Sequence, residues 1–284
     1  MPRTDLQTLQ ERKDFLQTIS ECAETPSKFS KIFLDHDVFD YNKKYVDCKD
    51  RFIVYRSGRQ VGKTMSTAVK AIHFAFFAPL MLKTVKHECT IVIAAPTQNQ
   101  AGIMFDRIRS LIINNKFLKG YVVRNTQTEM WVNFLDNTGM SKIVTRATGE
   151  HGTTLRGYSP HCIIADECSF IKTDILRAFL PSGMATLARV WLTSTPFSKS
   201  GYFFEACQNS KLKNPDGLWT EFHVKSTDNP LVREDPTFLE EIKRLTREEY
   251  VLIAAGLLLE DKEQFSAEEL VVKAWELNKD IFGL

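Results

Sequence analysis

The 284-residue sequence predicts an α/β fold, a mostly parallel central sheet flanked by helices. Three observations carry this. Short apolar, β-branched runs of strand length recur along the chain. Segments with helical spacing stand between them. The first clear run, RFIVYR, is continuously apolar at its centre, as a buried strand is.

Leu6, Leu9, Phe15, Leu16 and Ile19 form one stripe at helical spacing within residues 5–24. KIFLDHDVF reads as a short helix and a turn. RFIVYR (51–56) is a strand, SGRQVGKT (57–64) a loop, and TMSTAVKAIHFAFFA a helix sharing Thr64. TIVIAAP (90–96) and TQNQAGIMFDRIRSLI repeat the strand–helix pair. YVVRN, MWVNFL and SKIVTRAT are three shorter strands. HCIIADE (161–167) is a strand ending in two carboxylates, and a short helix spans Ser169 to Leu180. ARVWLTSTP (188–196) is a strand, GYFFEACQ opens a helix, NSKLKNPDG (209–217) is an exposed loop and LWTEFHVKS a strand. From Pro236 the pattern is helical to the end. The expected organisation is an N-terminal helical extension or lid over 1–50, a core over 51–235 and a helical C-terminal segment over 236–284.

Composition narrows the function classes. The formal net charge is only +2, so there is no global basic field; any nucleic-acid contact must come from a local patch or from several subunits together. Six cysteines occur and none forms a C-x-x-C pair, which argues against a zinc ribbon or a thioredoxin-type site and for reduced, buried thiols. The N-terminus lacks the apolar core of a signal peptide. No stretch approaches the roughly 18 apolar residues that span a bilayer. IHFAFFAPLML carries a histidine and a proline and reads as a buried helix end.

SGRQVGKT nearly spells the phosphate-binding pattern G-x-x-x-x-G-K-[ST], with Ser57 in place of the first glycine. It lies between a strand and a helix, the context phosphate chemistry requires. There the backbone N–H groups of Ser57, Gly58, Arg59, Gln60, Val61, Gly62, Lys63 and Thr64 can surround the phosphates of ATP, aided by the helix dipole. Lys63 would reach the β- and γ-phosphates and Thr64 would hold Mg²⁺. The alternative is a glycine turn with an incidental lysine. Asp166 and Glu167 end an apolar strand, where parallel α/β sheets bind ligands. Asp166 is placed to hold the metal, and Glu167 to polarise an attacking water as general base; the alternative is a capping pair before the next helix. Ser194 and Thr195 in LTSTP, again at a strand end, can sense the γ-phosphate.

SGRQVGKT, AAPTQNQAGIMFDRI, TTLRGYSPHCIIADE and LTSTPFSKSGYFFE together resemble the large terminase subunit of tailed phages and related viruses. The resemblance covers roughly residues 40–210. It implies a RecA-like P-loop ATPase domain, the motor that pumps double-stranded DNA into a procapsid. The family's loop commonly reads S/G-x-R-Q-x-G-K-[ST], so Ser57 marks a family variant. By the same resemblance Arg59 approaches the γ-phosphate in cis, Arg156 in LRG acts in trans on the next subunit's nucleotide, and Ser194–Thr195 is the coupling motif. For Arg59 a solvated loop charge, and for Arg156 an internal salt bridge, remain the alternatives. Thr97 and Gln98 in APTQ resemble a helicase-like motif, or Thr97 caps its helix. The family often reads adenine with a glutamine upstream of the loop; here the nearest candidates are Tyr41 and Asn42. The implied partners are double-stranded DNA, a homo-oligomeric ring (a pentamer by resemblance) on the portal, and the small terminase subunit, with assembly in the host cytoplasm and no membrane. Lys43, Lys44, Arg107, Arg109 and Lys211 are candidate DNA contacts. The helical reading after Pro236 leaves no room for the family's nuclease domain, so no nuclease activity is expected. The competing readings are a superfamily 2 helicase-like or DNA-remodelling ATPase, whose second RecA-like domain the tail is too short to supply, and a non-catalytic nucleotide-binding regulatory subunit, against which Glu167 argues.

Overall fold

The computed structural model describes residues 2–149, 152–155, 157–233 and Lys273. The apolar runs become strands β1 (Phe52–Ser57), β2 (Glu88–Ala95), β3 (Val122–Asn125), β4 (Glu129–Asn133), β5 (Met140–Ala147), β6 (Cys162–Asp166), β7 (Arg189–Ser194) and β8 (Thr220–Val224). They form one sheet in the order β3-β4-β5-β2-β6-β7-β1-β8. β5, β2, β6, β7, β1 and β8 pair in parallel, and β3 and β4 add an antiparallel edge. One consequence governs everything below: β7 lies between β1 and β6. The strand that feeds the glycine loop and the strand that ends in the acids are therefore two strand spacings apart, about 10 Å.

Period-2 alternation divides the central strands between two cores. Ile53, Tyr55, Ile91, Ile93, Ile164 and Trp191 face one side, against helices α4 (Lys63–Met81) and α5 (Gln98–Ile113). Val54, Val92, Ala94, Ile163, Ala165, Val190 and Leu192 face the other, against α6 (Thr173–Phe179) and α7 (Tyr202–Gln208). Burial on both faces is why these strands read as continuous apolar runs. The segment expected as one helix over Ser169–Leu180 is broken: a 3-10 turn (Cys168–Phe170), then α6, then a second 3-10 turn (Leu180–Gly183).

The expected extension over 1–50 is part of the same compact unit as the sheet, Met1–Lys225. It comprises α1 (Pro2–Glu24), α2 (Pro26–Phe33) and α3 (Asp40–Asp47), the last absent from the sequence reading. Phe29 of α2 packs edge-on against Phe77 of α4 at 5.7 Å, and Tyr45 of α3 stacks on Tyr55 of β1 at 4.2 Å. These aromatic contacts bury the helices against the core, so they do not form a separate layer. Of the α1 stripe, Ile19 packs against the core while Phe15 and Leu16 stay mostly exposed. The second unit begins at Ser226, ten residues ahead of the expected boundary. Its described part is a 3-10 turn (Ser226–Asp228), α8 (Pro230–Arg233) and Lys273; the helical segment expected over 236–284 otherwise lies outside the described residues.

His73 on α4 is fully buried, donates from Nε2 to the Cys22 carbonyl at 2.8 Å, and lies against the Phe29 and Phe77 rings. Burial pulls its pKa down to about 4. Between pH 6.5 and 4 the unfolded chain takes up a proton that the folded chain refuses, so stability falls as pH falls through that window. The full loss is roughly 3 kcal/mol. Urea denaturation at pH 7 and pH 4.5 will show a smaller pH-dependent loss for His73→Gln than for the wild type.

Candidate nucleotide site

β1 delivers the chain to the loop at the C-terminal edge of the sheet, and α4 begins at Lys63. Two residues carry positive φ, Gln60 at 62° and Gly62 at 75°. These reversals fold the loop back over the first turn of α4. Gly62 also lies close to α3 and the residue before it, since a Cβ there would sit 3.4 Å from the Phe39 ring. It is the positive φ that glycine suits here.

α3 braces the loop from beneath. Asn42 is fully buried; its amide donates to the Val61 carbonyl at 2.7 Å and accepts from the Tyr55 hydroxyl at 2.5 Å. Tyr45 exchanges a hydrogen bond with Thr67 at 2.9 Å, and Thr67 donates to the Lys63 carbonyl at 2.9 Å. The loop and the first turn of α4 are thus held by buried polar groups, which are costly to displace.

The acids arrive from β6. Lys63 is buried, and its Nζ lies 2.6 Å from Glu167 Oε1 and 3.9 Å from Asp166 Oδ1. Asp166 is buried and accepts from Thr193 Oγ1 at 2.6 Å. Burial pushes the Asp166 carboxyl above its ordinary range, against the opposing pull of Lys63 and the Thr193 hydrogen bond. Glu167 stands in the left-handed region at φ 50°, costly for a side chain of this kind and typical of functional sites. Asp166 and Thr193 are register partners across β6 and β7, so the two strand ends stop at one level.

A glycine loop opening a helix, with a lysine reaching two carboxylates across an intervening strand, describes the phosphate end of a nucleotide triphosphatase site. The family description "Terminase large subunit, T4likevirus-type, N-terminal" matches residues 54–264. The chain belongs to the large terminase family. No curated protein matches it. Among solved structures it is similar to the large terminase ATPase domain of Thermus phage P74-26, at 22% identity, TM-score 0.61, over 74% of this chain and 90% of that one. It is similar also to the large terminase of bacteriophage HK97, at 16% identity, TM-score 0.57, over 71% of this chain and 43% of that one. A large terminase from a thermophilic bacteriophage, solved in complex with ADP, aligns at 11% identity and TM-score 0.51, over 72% of this chain and 49% of that one. At these identities the likeness establishes the fold alone, an α/β sheet flanked by helices like that of the large terminase ATPase domains. This terminase chain spans about half the length of the longer large terminases it resembles.

The remaining residues singled out from sequence divide. Ser57 is fully buried at the end of β1, Thr64 is half-buried in the first turn of α4, and Gly58 donates its N–H to the Val224 carbonyl at 2.8 Å. Arg59 is exposed and makes no ion pair among the described residues. Arg156 lies outside the described residues. Ser194 and Thr195 meet the acid-bearing segment: Ser194 Oγ accepts from the Ser169 N–H, and the Thr195 carbonyl accepts from Ser169 Oγ, both at 3.1 Å. Asn42, one of the two candidates to contact adenine, is engaged by its amide with the Val61 carbonyl and the Tyr55 hydroxyl and braces the loop. Tyr41 stacks on Phe39 at 5.2 Å, and Phe39 borders Gly62, which keeps Tyr41 near the loop. Thr97 caps α5 by accepting from the Gln100 N–H, while Gln98 accepts from the Ala147 N–H.

Of the candidate DNA contacts, Lys43 pairs with Asp40, Arg109 with Asp106 and Lys211 with Asp50. Lys44 and Arg107 are exposed and have no ion pair among the described residues. Thr193 and Ser169 were missed. The run of three hydroxyl side chains in LTSTP was the available signal for Thr193; nothing local marked Ser169.

Asn42→Ala removes two buried hydrogen bonds and strands the Val61 carbonyl. Unfolding free energy measured by urea titration should fall by about 2–4 kcal/mol.

Proposed function

We propose that the chain is the ATP-hydrolysing motor domain of a large terminase, translocating double-stranded DNA into a viral procapsid. The observation that carries this is the Lys63–Asp166–Glu167 cluster at the start of α4. ATP would rest its phosphates on the loop Ser57–Thr64, with Lys63 turning its ammonium from Glu167 toward the β- and γ-phosphates. Tyr41 and Asn42 are the candidates to contact the base.

The donor set suits Mg²⁺. No group of three or more His, Cys, Asp or Glu residues is assembled to cage a metal among the described residues. Mg²⁺ needs few protein ligands, because it keeps its waters and shares the substrate's phosphates. Thr64 and Asp166 would hold it; burial raises the Asp166 carboxyl, a cost that a bound cation would offset. When bound, the ion neutralises charge developing on the transferred phosphoryl group.

Glu167, freed from Lys63, would orient and deprotonate the attacking water. Arg59 from the same loop and Arg156 from a neighbouring subunit would stabilise the transition state. Loss of phosphate would then reposition Ser194–Thr195 and move a DNA-gripping surface. With +2 net charge one subunit grips DNA weakly, which favours a ring, a pentamer by resemblance, on the portal with the small terminase subunit. This assembly would take place in the host cytoplasm.

Glu167→Gln should bind ATP with near wild-type affinity and hydrolyse it at least about 100-fold more slowly. Turnover of the variant at the wild-type rate would overturn the assignment of the general base. Arg156→Ala should be inactive alone and regain activity when mixed with Glu167→Gln chains, since each subunit then supplies what its neighbour lacks. Mixtures no more active than their components would place Arg156 in cis or outside the chemistry.

A further inference from the structure

The carboxylate of Glu167 is held in place by more than its own side chain. Its left-handed backbone leads directly into the 3-10 turn Cys168–Phe170, where the Phe170 N–H donates to the Glu167 carbonyl at 2.9 Å. Ser169, at the centre of that turn, contacts β7 and the residue after it twice. Its N–H donates to Ser194 Oγ at 3.1 Å, and its own Oγ donates to the Thr195 carbonyl at 3.1 Å. Ser194 Oγ donates to the same Thr195 carbonyl at 3.0 Å, so three groups close a ring of hydrogen bonds. The Phe170 ring then meets Phe197 at 4.6 Å, although Phe197 remains 70% exposed. That contact buries too little to fix the turn alone; the serine ring supplies the directional constraint.

We propose that Ser169 is a positioning residue for ATP hydrolysis, locking the turn that carries Glu167 to the Ser194–Thr195 segment. Ser169 acts through Glu167 and need not touch the nucleotide. The placement of the carboxylate and the position of the segment after β7 become one variable, so neither moves without the other. This inference rests on the reading of Glu167 as general base.

The test compares steady-state ATPase kinetics, equilibrium binding of a fluorescent ATP analogue and thermal unfolding for wild type, Ser169→Ala, Ser169→Thr, Ser194→Ala, the double alanine variant and Glu167→Gln. For Ser169→Ala, kcat should fall about 10-fold while KM and analogue affinity stay within about twofold, the signature of a misplaced catalytic group. Ser169→Thr keeps the hydroxyl and should restore kcat to within about threefold of wild type. The double alanine variant should lose little more than the worse single variant, because both hydroxyls serve one ring. Wild-type kcat in Ser169→Ala, no rescue by threonine, or fully multiplicative losses in the double variant would each overturn the proposal. If Glu167→Gln still turns over, the general-base reading falls first. If Glu167→Gln is inactive and Ser169→Ala is not slowed, only the role of Ser169 falls.

Discussion

One ammonium and two carboxylates sit where β6 and α4 meet, with side-chain exposures of 9% for Lys63, 6% for Asp166 and 26% for Glu167. Taking such charges out of water is expensive unless each is paired. Asp166 bears much of that cost: burial raises its carboxyl above the ordinary range, against the pull of Lys63 and the Thr193 hydrogen bond. A polyphosphate accompanied by a dication brings both signs of charge to this spot. The fold therefore holds three charges out of water at the spot where the substrate of the proposed reaction would bind.

Holding that cluster requires a rigid frame around the loop, and α3 provides much of it. Asn42 reaches the loop, Tyr45 reaches α4 and stacks on β1, and a second buried cation ties down the end of the helix. Lys70 of α4 donates to the carbonyls of Val46 and Cys48 and lies 5.0 Å from the Trp191 ring on β7. Among the described residues no carboxylate pairs with it, and burial draws its pKa down to about 8. Carbonyl dipoles and aromatic faces carry the charge instead. This frame explains why the N-terminal helices belong to the sheet's own unit: they support the loop from its buried side.

Much of this was legible in the sequence. The strands were visible because central strands buried on both faces cannot avoid being apolar, and the loop and acids because their residue types are rare in that order. α3 was missed because DYNKKYVD is short and largely polar; its burial is decided by Asn42 and Tyr45 meeting β1 and α4. The bracing role of Asn42 was hidden for the same reason, since which groups an amide before a phosphate loop meets depends on which way the backbone turns it. Thr193 and Ser169 required knowledge of strand order. Only with β7 between β1 and β6 does a hydroxyl at the end of β7 fall beside Asp166. The boundary at 225/226 had no compositional mark, because β8 runs into the second unit without a glycine- or proline-rich linker.

The position of β7 also bears on the proposed coupling. Thr193 faces Asp166 and Ser194 pairs in register with Arg56, so the end of β7 borders both the acid strand and the loop strand. Its links to the acid segment are a few hydrogen bonds, each worth about 1 kcal/mol net. A nucleotide held at micromolar affinity contributes about 8 kcal/mol. A ligand shifts a conformational equilibrium only by its differential affinity for the two states, and here a fraction of the binding free energy is enough to break or remake the seam. A strand fastened by buried apolar packing at its centre and by hydroxyls at its tip can leave the sheet intact while the tip changes partners, so the proposed motion would be confined to the segment after Ser194.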